Sequence, residues 1–152
     1  MRIGIIGVGN VGVTLGRALA AAGHAVTMGT RDPTGERASA ARAALGDGVP
    51  VDTATTAART GEVVIFAIPG TAMDETVAAL TSELAGTVVV DATNLVGVRL
   101  GDRDVMNSAA VLADHAPTAA VVRAFNSLGW ENFAEPVDRQ RAGRPALLRP
   151  GR

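Results

Sequence analysis

Met1-Arg2-Ile3-Gly4-Ile5-Ile6-Gly7-Val8-Gly9-Asn10-Val11-Gly12 is the stretch that decides the fold. An apolar run, Ile3 to Ile6, breaks at glycines in G-x-G-x-x-G spacing. Val11, Leu15 and Leu19 then recur at helical intervals up to Gly23, the expected helix C-terminal residue. A strand, a glycine turn and a helix in that order form the arrangement that cradles a dinucleotide pyrophosphate. Gly7 permits the tight turn, Gly9 lets the backbone approach the phosphates, and Gly12 lets helix pack on strand. Val8, Asn10 and Val11 complete the candidate loop, whose unpaired amides at the helix start face an anion. An ordinary glycine turn is the competing reading.

Working outward, short β-branched runs alternate with longer Ala-rich ones. Strands are expected at Ile3–Ile6, Ala25–Met28, Val49–Val51, Val63–Ile68, Thr87–Val90 and Ala119–Phe125. Helices are expected at Val11–Ala22, Arg37–Leu45, Thr55–Arg59, Met73–Leu84 and Met106–His115. This alternation implies an α/β fold, a doubly wound and mostly parallel sheet of six strands in the order 3-2-1-4-5-6. The fully apolar Val63–Ile68 run suits a central strand covered on both faces. After Pro136 the character changes: Val137 to Arg152 carries five arginines and two prolines without helical or strand periodicity. The expected division is a nucleotide-binding domain over 1–136 and an Arg/Pro-rich tail over 137–152 outside the core.

The composition removes whole classes of chemistry. The chain has 152 residues, 47% hydrophobic and 19% charged, with a net charge of -1, which disfavours broad attraction to nucleic acid. All 14 basic residues are Arg, so lysine Schiff-base and lysine general-base chemistry are excluded. Tyr and Cys are absent as well, which removes thiol nucleophiles, thiolate metal sites and disulfides. No run approaches the ~18 apolar residues of a membrane span, and no leader pattern precedes the first strand. The expected setting is cytoplasmic.

The carboxyl ends of the strands carry the remaining candidates. NAD-preferring sites place an acid at the end of strand two to bind the ribose 2′-hydroxyl. Here the residues are Met28-Gly29-Thr30-Arg31-Asp32, and the Arg31 fork with the Thr30 hydroxyl suits a 2′-phosphate. The balance favours NADP over NAD, but a strand running one or two residues further would let Asp32 take the ribose and Arg31 pair with it. Ile68-Pro69-Gly70 closes strand four at the switch point. Asp91-Ala92-Thr93-Asn94 and Ala124-Phe125-Asn126-Ser127 put small polar residues where a nicotinamide ring projects, although such residues also favour turns. His24 and His115 read as helix-terminal residues without metal partners. Trp130 either packs under a loop or covers a ring.

Taken with Ala22-Gly23-His24, Gly29-Thr30-Arg31, Ala67-Ile68-Pro69, Asp91-Ala92-Thr93-Asn94 and Val122-Arg123-Ala124-Phe125-Asn126, the opening motif resembles the coenzyme F420-dependent NADP oxidoreductase family over about residues 1–136. Pyrroline-5-carboxylate reductases and some hydroxyacid dehydrogenases begin similarly. The resemblance implies NADP(H) bound on a Rossmann fold and hydride exchange with F420 or a flavin-like acceptor. It places pyrophosphate on Gly7 to Gly12, the 2′-phosphate on Thr30 and Arg31, and the nicotinamide beside Ile68 and Pro69. Asn94 and Asn126 lie near the ring stack, with Ala124 beside them. Direct hydride transfer between two rings needs positioning more than acid or base, so no catalytic residue is assigned.

Family members usually run on past the Trp130-Glu131-Asn132-Phe133 region, and against that pattern the Arg/Pro tail resembles a truncated or frame-shifted ending, with strand six expected as an open edge. A homodimer is a further expectation of the resemblance. The alternatives are a catalytically incomplete nucleotide-binding or interaction module and an imine reductase of the pyrroline-5-carboxylate type.

Overall fold

The computed structural model describes residues 1–93, 108–126 and 129–134. In chain order these form β1 (Arg2–Ile6), α1 (Asn10–Ala21), β2 (Ala25–Thr30), α2 (Glu36–Leu45), β3 (Val51–Thr53), α3 (Ala54–Thr60), β4 (Val63–Phe66), α4 (Met73–Ala79), α5 (Thr81–Leu84), β5 (Val88–Asp91), α6 (Ser108–His115), β6 (Ala120–Arg123) and α7 (Glu131–Ala134). A single 3-10 turn, Gly70–Ala72, links β4 to α4. All the strand pairs are parallel, and their order is β3-β2-β1-β4-β5-β6. This is the expected six-stranded doubly wound sheet. The expected 137–152 tail and Asn94 lie outside the described residues, as do Met106, Asn107 and Ser127.

Two apolar layers cover the sheet. Ile3, Ile5, Val26, Met28 and Ile65 point to the layer of α1 and α2, where Leu15, Ala38 and Ala41 meet them. Ile6, Val64, Phe66 and Val89 point the other way, against Ala57, Met73, Val77, Leu84 and Leu112. Full burial of each large side chain contributes about 1.5–3 kcal/mol. The second layer lies close to the sheet because α3 is a short Ala-rich helix facing Gly4. A Cβ there would run into the Ala57 carbonyl oxygen.

Local chemistry fixes the ends of the elements and corrects five expected boundaries. β2 continues two residues beyond Met28, and the Gly7 N–H donates to the Gly29 carbonyl at 2.8 Å. β3 lies at Val51–Thr53 instead of Val49–Val51, because Pro50 has no N–H for the ladder and contributes only its carbonyl, to Met28. β4 stops at Phe66, before Ile68-Pro69 turn the chain. The expected helix Met73–Leu84 breaks at Leu80, where the Thr81 hydroxyl donates back to the Ala78 carbonyl at 3.0 Å. Such back-bonding bends helices. β6 ends at Arg123, and Phe125 follows with φ +67°, which turns the chain away from the sheet.

After α1, Gly23 takes φ +85°. Its N–H meets the Ala20 carbonyl, and the His24 N–H meets the Leu19 carbonyl, a Schellman closure. α3 starts where the Thr53 hydroxyl accepts from the Thr56 N–H at 3.1 Å.

The close contact of α3 with β1 makes a direct prediction. Gly4→Ala pushes a methyl into backbone that cannot rotate away, so stability falls by about 1–3 kcal/mol. Urea unfolding should show a lower midpoint with an unchanged slope.

Candidate functional site

The switch point lies between β1 and β4, whose carboxyl ends run level: Ala67 N–H donates to the Ile6 carbonyl at 2.8 Å and Ala92 N–H to the Phe66 carbonyl at 3.0 Å. The glycine loop emerges there. The first helical hydrogen bond of α1 runs from Val13 N–H to the Gly9 carbonyl at 2.9 Å, so the amides of Asn10, Val11 and Gly12 precede the helical ladder. No side chain caps this end and no acid occupies its first turn. The result is a concentration of unpaired N–H dipoles with nothing negative beside it.

The three glycines of the loop are required for different reasons. Gly7 has φ +119°, and a Cβ on it would meet the Ala67 carbonyl; one on Gly12 would meet the Gly7 carbonyl. Both are dictated by the protein's own packing. Gly9 has φ −83°, which any residue adopts, and a Cβ there would meet nothing within 4 Å. Nothing inside the described structure needs glycine at position 9. Val8 and Val11 are half-buried against the α1 layer, and Asn10 is exposed.

At the end of β2, Thr30 is half-buried and Arg31 exposed. Arg31 makes no hydrogen bond or ion pair with the described residues. The strand does run two residues further than expected, the condition under which Asp32 could compete for a ribose. Asp32 is engaged elsewhere: its Oδ1 accepts from the Thr34 hydroxyl at 2.8 Å and the Thr34 N–H at 3.0 Å. The Thr34 hydroxyl, and next its backbone N–H, hold the Asp32 carboxyl below the ordinary 3.8. The acid therefore caps its own turn and does not pair with Arg31.

On the far side of the switch point, Ile68 is half-buried and Pro69 exposed, and Pro69 leads into the 3-10 turn through Ala72 N–H to its carbonyl, 2.9 Å. The ends of β5 and β6 hold an ionic group to whose members the motifs gave no role. Asp91 is fully buried. Its Oδ1 accepts from Thr93 N–H at 2.9 Å and the Thr93 hydroxyl at 2.6 Å, and its Oδ2 from the Ser108 hydroxyl at 2.5 Å. Arg123 Nε stands 3.4 Å from Oδ2. Asn126 Nδ2 donates to the Thr93 carbonyl at 2.7 Å, and the Ala124 N–H to the Asp91 carbonyl at 3.1 Å. Asn126 and Ala124 thus follow the end of β6, beside the end of β5.

The signal for this group was present in the sequence. Both β5 and β6 are Val runs that end in a charge, Asp91 and Arg123, and parallel register sets the two opposite each other. Phe125 packs edge to face on Phe133, with ring centroids 5.4 Å apart, which brings α7 back toward α1. Trp130 is exposed. His24 closes α1, and His115 Nε2 lies 3.2 Å from Asp74 Oδ1, joining the end of α6 to the start of α4. Among the described residues no group of His, Cys, Asp or Glu could hold a metal ion, and no helix is long and apolar enough to cross a membrane.

The sequence matches the family of coenzyme F420-dependent NADP oxidoreductases over residues 2–95, more than half of the chain. The chain belongs to this family. Among solved structures, it is similar to a protein assigned as an F420-dependent NADP-reductase from Arthrobacter sp. FB24, with TM-score 0.72, 28% identity, and coverage of 91% of this chain and 67% of that one. A pyrroline-5-carboxylate reductase from Coxiella burnetii shares the fold at TM-score 0.60 and 19% identity, over 80% of this chain and 42% of that one. So does the Plasmodium falciparum pyrroline carboxylate reductase solved with NADP bound, at TM-score 0.56 and 12% identity, over 81% and 41%. The chain thus spans about two thirds of the first of these proteins and less than half of the other two. A comparison with curated protein sequences finds no match.

Two outcomes follow from this geometry. Gly12→Ala should destabilise the fold by about 1–3 kcal/mol, whereas Gly9→Ala should unfold with the wild-type midpoint; thermal denaturation of the pair reads the contrast. For Asp32, a lowered folded-state value means that its tie to Thr34 holds the loop above the ordinary carboxylate range and lets go as pH falls through the folded value. A carbon-detected NMR titration should give an Asp32 midpoint below 3.8, rising toward it in Thr34→Val.

Proposed function

We propose that the domain binds NADP(H) and brings its nicotinamide against a flat hydride acceptor, F420 or a flavin. The observation that carries the reading is the pairing of an uncapped α1 N-terminus, where Gly9 leaves open space, with Arg31, exposed and without a partner among the described residues at the end of β2. The cofactor fits these groups by its chemistry: a pyrophosphate for the amides of Asn10, Val11 and Gly12, and a 2′-phosphate for Thr30 and Arg31. Gly7 shapes the turn, and Val8 and Val11 hold it down on the apolar layer beneath.

Bound, the nicotinamide supplies or accepts the hydride. This chain's residues orient the two reactants and exclude water. Ile68 and Pro69 offer an apolar flank at the end of β4, and Ala124 leaves room at the end of β6. Asn126, tied to the Thr93 carbonyl, supplies a polar group at the ring end. Holding two rings in attack geometry supplies much of the rate enhancement of such a transfer.

Membership of the family and the 28%-identical Arthrobacter structure support this reading, and the acceptor belongs to the proposal. Equilibrium titration should show NADPH preferred over NADH, with the preference reduced about ten- to a hundredfold in Arg31→Ala, the loss of one charge-assisted contact of roughly 1.5–3 kcal/mol. An unchanged preference in that variant removes the 2′-phosphate assignment. NADPH oxidation with F420 or FMN as acceptor tests the transfer, and tight binding without turnover leaves a nucleotide-binding module.

A further inference from the structure

Arg123 is held in a way that its role as a counterion does not explain. The buried Asp91 carboxylate already accepts three hydrogen bonds, from Thr93 twice and from Ser108. Arg123 stands beside it with Nε at 3.4 Å from Oδ2 and Nη2 at 3.4 Å from the Thr93 carbonyl, while its side chain remains 51% exposed. Nε thus faces the carboxylate and Nη2 the Thr93 carbonyl, and Nη1 has no partner among the described residues. The guanidinium therefore lies with one edge toward these oxygens and the other open, where its planar fork can meet an anion.

Its position identifies the kind of ligand. Arg123 lies at the carboxyl end of β6, level with Asp91 on β5, which is itself level with Phe66 on β4. Among the described residues it is the one basic side chain at the carboxyl ends of β4, β5 and β6. Arg31 lies across the switch point at the end of β2, four strand intervals away, or about 19 Å at the usual ~4.8 Å spacing. One group of a dinucleotide cannot use both cations if its pyrophosphate rests on the loop between them. Arg31 serves the nucleotide end, which leaves Arg123 on the side where the acceptor enters.

We propose that Arg123 binds an anionic group, phosphate or carboxylate, carried by the hydride acceptor, and that the buried Asp91 carboxylate positions it for that contact. This rests on the dinucleotide reading of the preceding section. Asp91 acts through Arg123 and touches neither reactant.

The probes are FMN and riboflavin, which share one ring system and differ by a phosphate. They are titrated by flavin fluorescence into the full chain saturated with NADP+, in the wild type, Arg123→Gln and Arg123→Lys. The wild type should bind FMN about tenfold or more tightly than riboflavin, the effect of one charge-assisted contact. In Arg123→Gln the two should bind alike, at the riboflavin level, with NADPH affinity within about twofold of wild type. Arg123→Lys keeps the charge but not the fork, so its FMN preference should fall at least about threefold.

A preference that survives Arg123→Gln overturns the proposal, as does a wild type that binds both flavins equally or binds neither. Should Arg123→Gln fail to fold, an unchanged preference in Arg123→Lys overturns it instead. Failure of the underlying reading shows earlier: a wild type that does not bind NADPH defeats both before any flavin is added.

Discussion

Three backbone segments meet at one point, and the site depends on that contact. Gly7 lies against the Ala67 carbonyl at the end of β4, and Gly12, one turn into α1, lies against the carbonyl of Gly7. No side chain separates them. Any substituent at either glycine would lift the first turn of α1 away from β1 and β4, and with it the amides that face outward from the helix start. The N–H of Gly7 is fixed at the same place by the Gly29 carbonyl of β2. The orientation of the anion-facing end is therefore set by main chain alone, which resists distortion better than long side chains do.

The architecture was legible because two independent signals agreed. Periodicity located each of the six strands, and the opening glycines fixed the topology that a strand-turn-helix start favours. The boundaries were less legible, for identifiable reasons. Met28 looked like the end of β2 because Gly29 and Thr30 resemble turn residues, but β1 and β3 both pair beyond it. Leu80 interrupts a run of helix formers because the neighbouring threonine hydroxyl competes for backbone carbonyls, a preference that a hydrophobic pattern does not record.

The candidate site divides in the same way. Gly7, Gly9, Gly12, Thr30 and Arg31 stand out from their order along the chain, and Ile68 and Pro69 from the end of an apolar run. The hydrogen bonds of Asp32 needed coordinates, since only the position of Thr34 shows what its Oδ1 accepts. Ser108 escaped notice because it is distant in sequence from Asp91 and joins it only through the fold. Arg123 passed as part of a motif without a role, because its meaning lies in a register partner on another strand.

β6 is exposed along its whole length, with Val121 and Val122 at 39% and 52%, yet it carries the residue paired with the most buried charge among the described residues. Apolar packing alone would make this edge among the first parts of the sheet to open in native-state fluctuations. The Arg123–Asp91 pair adds a cross-strand tie at this edge, beside the ladder hydrogen bonds. The strand with least cover is thus tied to the interior of the sheet through its last residue.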